Sequence, residues 1–347
     1  MSSSEEEQDV NEQEIESAVP KAIESHELVL NLAFHPSKKI LAAAHIDGSV
    51  KLYSILEDES KPKDLLQIDV HKKSCRAISF SEDGKFLYTV SKDKSIRVVD
   101  VESETIGFKM LKAHDSAIYS VLVVNENTLA TGDDNGVVQM WDTRKQQSII
   151  TFKQNEDYIS DMATDNDNRI LLATSGDGTL SAFNVRRRRF DMQSENMEDE
   201  MMTVSIIKKG KKVVCGAGDG ALNLFNWNEF GNISDRFPGH PESVDTCVKI
   251  NENIICTGSV DGTIRAVNIL PNRFLGVVGD HDEFPIESMD VSHEGDLLAS
   301  CSHDQKIKFW NISNLEDIEF STKQKAKKTD KTKRLKTTRN NDFFADL

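Results

Sequence analysis

The stretch HDSAIYSVLVVNENTLATGDDNGVVQMWD, His114 to Asp142, decides the fold. Two β-rich runs, Ile118 to Val124 and Thr128 to Thr131, come before Asn135-Gly136, and a third climbs from Val137 to Trp141 after it. Asn-Gly between β-branched runs is a strong hairpin signal, because both turn positions tolerate positive φ. The stretch therefore predicts strand, turn, strand, tight turn, strand. A sheet this small cannot bury both faces alone, so it needs neighbours.

The rest of the chain supplies them. Tight turns recur at Asp47, Asp93, Asn135, Asp177, Asp219, Asp261 and Asp304, at intervals of 46, 42, 42, 42, 42 and 43 residues. Six residues after each turn stands Tyr53, Val99, Trp141, Phe183, Phe225, Val267 or Trp310, and all but the first are followed by Asp or Asn. A period of 40–45 residues with four short strands per unit marks an all-β propeller of WD-type repeats. His26, His71, His114, His240 and His281 open five of the units, while Asn155 and Met197 hold that place in the fourth and fifth. Ser91, Ser175, Ser259 and Ser302 lie two residues before their turn Asp.

Over residues 26–311 these features resemble the WD-repeat family. The resemblance implies a seven-bladed ring in which His, Ser/Thr, Asp and Trp form a hydrogen-bonded tetrad within a blade. Only the seventh unit carries the full set under this reading: His281, Ser302, Asp304 and Trp310. A nucleophilic triad of His281, Ser302 and Asp304 is the sharper alternative. It is disfavoured because the same residue types recur at repeat spacing, whereas a catalytic site occurs once. Trp310→Ala is expected to cost about 3–5 kcal/mol if the indole is buried.

The expected organisation is a disordered acidic head (1–18), the propeller (19–320) and a disordered basic tail (321–347). Residues 56–64 and 186–202 read as loop insertions. The run Val19–Ser25 is favoured over Leu315–Phe320 as the extra strand of the last blade, since pairing the two chain ends removes an exposed edge. The net charge of −16 is uneven: nine Lys/Arg and three Asp put +6 in the tail, which leaves −22 elsewhere. An acidic body disfavours a broad nucleic-acid surface and leaves the tail free to touch RNA electrostatically. The five cysteines, with no CxxC, read as buried thiols in a reducing compartment. No apolar run is long enough for a membrane span, and no glycine-rich phosphate loop or metal-ligand spacing stands out. Neither cofactor nor small-molecule substrate is expected.

Two basic segments carry targeting or binding chemistry. In the tail these are Lys327, Lys328, Lys331, Lys333, Arg334, Lys336 and Arg339, read as a nuclear or nucleolar address. Arg186 to Arg189 read as a solvated loop between blades four and five, next to an acidic stretch, Glu195 to Glu200, able to neutralise it, with phosphate contact or a nuclear signal as the alternative. In addition, Leu129 to Arg144 (LATGDDNGVVQMWDTR) resembles the box by which some WD-repeat proteins dock on the adaptor of cullin-4 ubiquitin ligases, with Trp141, Asp142 and Arg144 in place. The first unit (LAFHPSKKILAAAHIDGSVKLY), the divergent fourth and fifth units and the terminal DFFADL are similar to a nucleolar branch of the family. That similarity implies a protein-interaction scaffold for ribosomal RNA production and large-subunit assembly, with pre-ribosomal assembly factors as partners. A cullin-4 substrate receptor is the first alternative, and an enzyme with a site on a propeller face the second.

Overall fold

Each sequence unit folds as a four-stranded antiparallel meander, and a computed structural model describes residues 19–55 and 62–316. There are seven such sheets: blades 1 (29–69), 2 (75–110), 3 (118–153), 4 (159–193), 5 (201–237), 6 (244–280) and 7 (286–311). The fourth strand of blade 7 is Ile23–Glu24, paired antiparallel with Lys306–Asn311. The first and last strands of the ring thus meet in one sheet through the N-terminal run, as expected from edge removal. Of the rival run, Leu315 lies in a single helical turn, Ser313–Glu316. The first strand of every blade packs on that of the next, and blade 7 on blade 1, so the ring closes. The acidic head, the basic tail and residues 56–61 lie outside the described residues.

The second strand of each blade is buried almost throughout, as in Thr128–Asp133 and Ile254–Ser259. It is sandwiched between neighbouring blades and so is buried on both faces. Outer strands alternate instead, as in Thr105–Met110. Burial between blades supplies the cohesion, at about 1.5–3 kcal/mol for each large apolar side chain. Phe183 of blade 4 stacks on Phe152 of blade 3 at 4.5 Å between ring centroids. Ile23, Leu41, Tyr53, Ala299 and Phe309 share the cluster that seals blade 7 to blade 1. All five cysteines are buried free thiols in these clusters.

Two expectations are corrected. The Asn135-Gly136 turn does not use two positive φ angles; only Gly136 is left-handed, at 75°. Its N–H donates to the Asp133 carbonyl, making a type I turn closed by a glycine bulge. A Cβ there would lie 2.3 Å from the Asn155 carbonyl oxygen, so glycine is required by space as well as by φ. Residues 186–202 are not an insertion between blades. Residues 186–188 form the turn before the fourth strand of blade 4, Arg189–Gln193, and Met201 already opens blade 5.

Candidate functional site

The histidines are held on loops that enter each blade, and their rings drop onto the second strand. In blade 3 the His114 Nδ1 lies 2.9 Å from the Asp133 carboxylate, and its Nε2 lies 2.7 Å from the Thr131 hydroxyl. The Trp141 indole N–H donates to the same hydroxyl at 2.9 Å. With the ring proton on Nδ1, the donors run in one direction: indole N–H to hydroxyl, hydroxyl to imidazole Nε2, imidazole Nδ1–H to carboxylate. Every buried polar group in the set is thereby paired. Blade 3 is a complete tetrad that the turn numbering hid, because Asp133 rather than Asn135 supplies the carboxylate.

Blade 7 repeats the arrangement with one change from the expected residues. His281 lies 2.8 Å from Asp304 and 2.8 Å from the Ser300 hydroxyl, which also accepts the Trp310 indole N–H at 2.8 Å. The tetrad serine is Ser300, not Ser302. Ser302 instead donates to the Phe284 carbonyl at 3.0 Å. Ser91, Ser175 and Ser259 donate in the same way to Lys73, Asp157 and Glu242 carbonyls, so this second serine class staples the loop to the strand. Burial holds the His281 pKa below its ordinary value despite the upward pull of Asp304, which keeps the imidazole neutral. Ser300→Ala should therefore lower the melting temperature more than Ser302→Ala; equal losses would contradict the assignment.

The other blades keep fragments. In blade 2, His71 meets Thr89 at 2.8 Å and Ser95 at 3.1 Å, with Val99 in place of the indole. In blade 6, His240 meets Thr257 at 2.9 Å, while Asp261 turns to Arg265 at 2.6 Å. Asn155 in blade 4 reaches Thr179 at 2.9 Å. In the first unit Ser25, not His26, takes the histidine's place. Its N–H donates to the Gln305 carbonyl as that of His71 does to Gly48, and His26 is exposed.

The first strands enclose a central channel of about 680 Å³, lined among others by Asn31, Arg76, Asp161, Asp245, Glu287 and Asp290. Several of these side chains bridge blades. Asp161 accepts from the Thr203 hydroxyl and the Val204 N–H at 3.0 and 2.9 Å, which ties blade 4 to blade 5. Asp290 accepts the Phe34 N–H at 2.6 Å, and Asn31 donates to Ser288 at 3.1 Å, both across the closure of blade 7 on blade 1.

Burial pushes the Asp290 carboxyl up to about 6, against the two N–H groups that favour its charge. Because the folded value is the higher one, Asp290 adds stability at low pH, and that contribution is lost as pH rises through about 6. Asp290→Asn keeps an acceptor for Phe34 and removes the charge. It should raise stability at pH 7.5 by about 1–3 kcal/mol, with no gain near pH 4. A loss at both pH values in thermal melts would show that the carboxylate itself is needed.

Within the box Leu129 to Arg144, Trp141 is buried in its tetrad and Asp142 is half-buried; Arg144 is exposed. Its guanidinium lies 3.0 and 3.3 Å from the two Asp142 oxygens, and this contact holds the Asp142 carboxyl below its usual range. The tail cations Lys327, Lys328, Lys331, Lys333, Arg334 and Lys336 lie outside the described residues. Among the described residues, no helix is long and apolar enough to cross a membrane, and no group of three His, Cys, Asp or Glu could hold a metal ion.

Comparison with known proteins covers almost the whole ring. The family model WDR55 matches residues 20–315. WD repeat-containing protein 55 of Mus musculus is 49% identical over 287 residues, 83% of this chain and 74% of that protein. The Pongo abelii protein of the same name is 47% identical over 319 residues, 91% of this chain and 83% of that one. WD repeat-containing protein 55 homolog of Drosophila yakuba is 41% identical over 335 residues, 95% of this chain and 66% of its own length. The chain is a seven-bladed WD-repeat propeller and belongs to the WDR55 family.

Proposed function

We propose that this chain is a non-enzymatic protein-interaction scaffold of nucleolar ribosome biogenesis, acting in ribosomal RNA production and large-subunit assembly. The observation that carries the scaffold reading is the fate of the His, Ser/Thr and Asp sets. Each is spent inside a blade, with the hydroxyl wedged between indole and imidazole in blades 3 and 7 rather than open to a substrate. A nucleophile needs an exposed oxygen beside a base, and Ser300 is fully buried. The nucleolar and ribosomal part rests on the resemblance of the first, fourth and fifth units, and on a tail whose dense cations suit an RNA-rich compartment. A rigid ring with many loops gives assembly factors several faces to hold at once.

Replacing Lys327, Lys328, Lys331, Lys333, Arg334 and Lys336 by Gln should disperse a fluorescently tagged chain from nucleoli and leave its melting temperature unchanged. Unaltered nucleolar signal would remove the address role. The exposure of Arg144 favours a second reading, docking on the cullin-4 adaptor. Arg144→Ala should then abolish capture of that adaptor while leaving ribosomal precursors untouched; capture at the parental level would end it.

A further inference from the structure

In a four-stranded meander, the turns between first and second strands and between third and fourth strands fall on one face of the ring. On that face, blades 3 to 5 place side by side the turns at 143–146, 165–169, 185–188 and 208–211. The Val185 N–H donates to the Arg169 carbonyl at 2.8 Å, and the Trp227 N–H to that of Lys211 at 3.0 Å, so turns of the same blade are tied. Ile170 and Trp227 pack in one cluster, which joins the front of blade 4 to that of blade 5. This front carries Arg186, Arg187 and Arg188 on blade 4, and Lys208, Lys209 and Lys211 on blade 5, beside Arg144 and Lys145 of blade 3.

Carboxylates are near and several are already paired; on blade 3, Asp142 holds Arg144 at 3.0 Å. Asp167 meets Arg169 at 3.7 Å, Asp191 meets Arg189 at 2.7 Å, and Glu252 accepts from the Lys209 N–H and from Lys249. Among the described residues, no carboxylate pairs with Arg186, Arg187, Arg188 or Lys211. The acidic run Glu195 to Glu200 does not neutralise them, as the sequence had led one to expect. The strand Arg189–Gln193 carries the chain from the basic turn to the opposite face first. Five strand residues span about 17 Å. That is about twice the Debye length at physiological salt, so the acidic run scarcely screens the arginines.

We propose that this front binds the phosphodiester backbone of RNA. Guanidinium forks donate to phosphate oxygens in pairs and stay charged at any physiological pH. No aromatic side chain stands in the four turns, so the contact is to backbone rather than to stacked bases and is independent of sequence. Outside the tail the chain is net acidic, at −22, so a polyanion is drawn to its basic clusters. The choice of RNA over other polyanions rests on the ribosome-biogenesis reading.

The test uses the full-length chain and a fluorescein-labelled RNA hairpin titrated across a KCl series. The triple variant Arg186→Glu, Arg187→Glu, Lys211→Glu should weaken binding at least tenfold, with melting unchanged. It should also flatten the plot of log affinity against log salt by about 2–3, the mark of that many lost phosphate contacts. The same drop should appear when the tail cations are already Gln, which separates the ring from the tail. Should the Glu triple unfold, the corresponding Gln triple reads the same quantities. Unchanged affinity and slope would overturn the proposal. So would a variant that keeps its RNA affinity but loses binding to a polyglutamate peptide, since the front would then belong to an acidic protein partner. A front that binds RNA in vitro, on a chain that captures no ribosomal precursor from cells, would sink the ribosomal reading and leave the surface standing.

Discussion

Trp141→Ala is expected to lower the stability of the ring by about 3–5 kcal/mol, the usual cost of truncating a buried indole. Trp141 is 6% exposed and packs with Tyr88, Val98, Met110, Ile118 and Leu129 at the junction of blades 2 and 3. Its loss opens a cavity there and removes the donor that fills the Thr131 hydroxyl. Trp310→Ala should cost less. Trp310 is only half-buried and leans on Gly279 of the neighbouring blade, where a Cβ would come within 2.3 Å of the indole. Denaturant melts of the two variants give the comparison. If Trp310→Ala proves the more damaging, the buried junction of blades 2 and 3 is not where the ring's cohesion is concentrated.

Thr131→Val is expected to cost about 2–4 kcal/mol although it barely changes volume. The hydroxyl is the hub of the blade 3 tetrad, and a methyl leaves the His114 Nε2 and the Trp141 indole N–H without partners in a buried site. An unpaired buried polar group costs about 1–3 kcal/mol, and here two are created. The two losses are coupled, so the double variant Thr131→Val, Trp141→Ala should be less destabilised than the sum of the singles. Strict additivity in a double-mutant cycle would mean that the hydroxyl and the indole do not act together.

The fold was legible from the period of the turns, because every blade must repeat one supersecondary unit to bury its neighbours' faces. The tetrads were legible only in outline. Two hydroxyl classes sit two residues apart on the same strand, and spacing from the turn Asp picked out the stapling Ser302. The better ruler is the indole: Thr131 and Ser300 each stand ten residues before their Trp, directly within reach of its N–H. Asp133 was missed because the blade 3 turn supplies its carboxylate two residues early, so a position-based ruler landed on Asn135. Ser25 was missed for a different reason. The histidine at position 26 matches the residue type, but the backbone bond to Gln305 that defines the place belongs to its neighbour. The basic front on blades 3 to 5 could not be read from order along the chain. It is assembled from turns more than sixty residues apart, and the acidic run that follows Arg189 in sequence is carried to the opposite face.

Affinity capture of the full-length tagged chain from cell extract, with co-purifying proteins and RNA both identified, decides whether the ring is a ribosome-assembly scaffold. Large-subunit assembly factors together with precursor ribosomal RNA are the expected yield. Recovery of the cullin-4 adaptor with neither would contradict it and make the ring a substrate receptor.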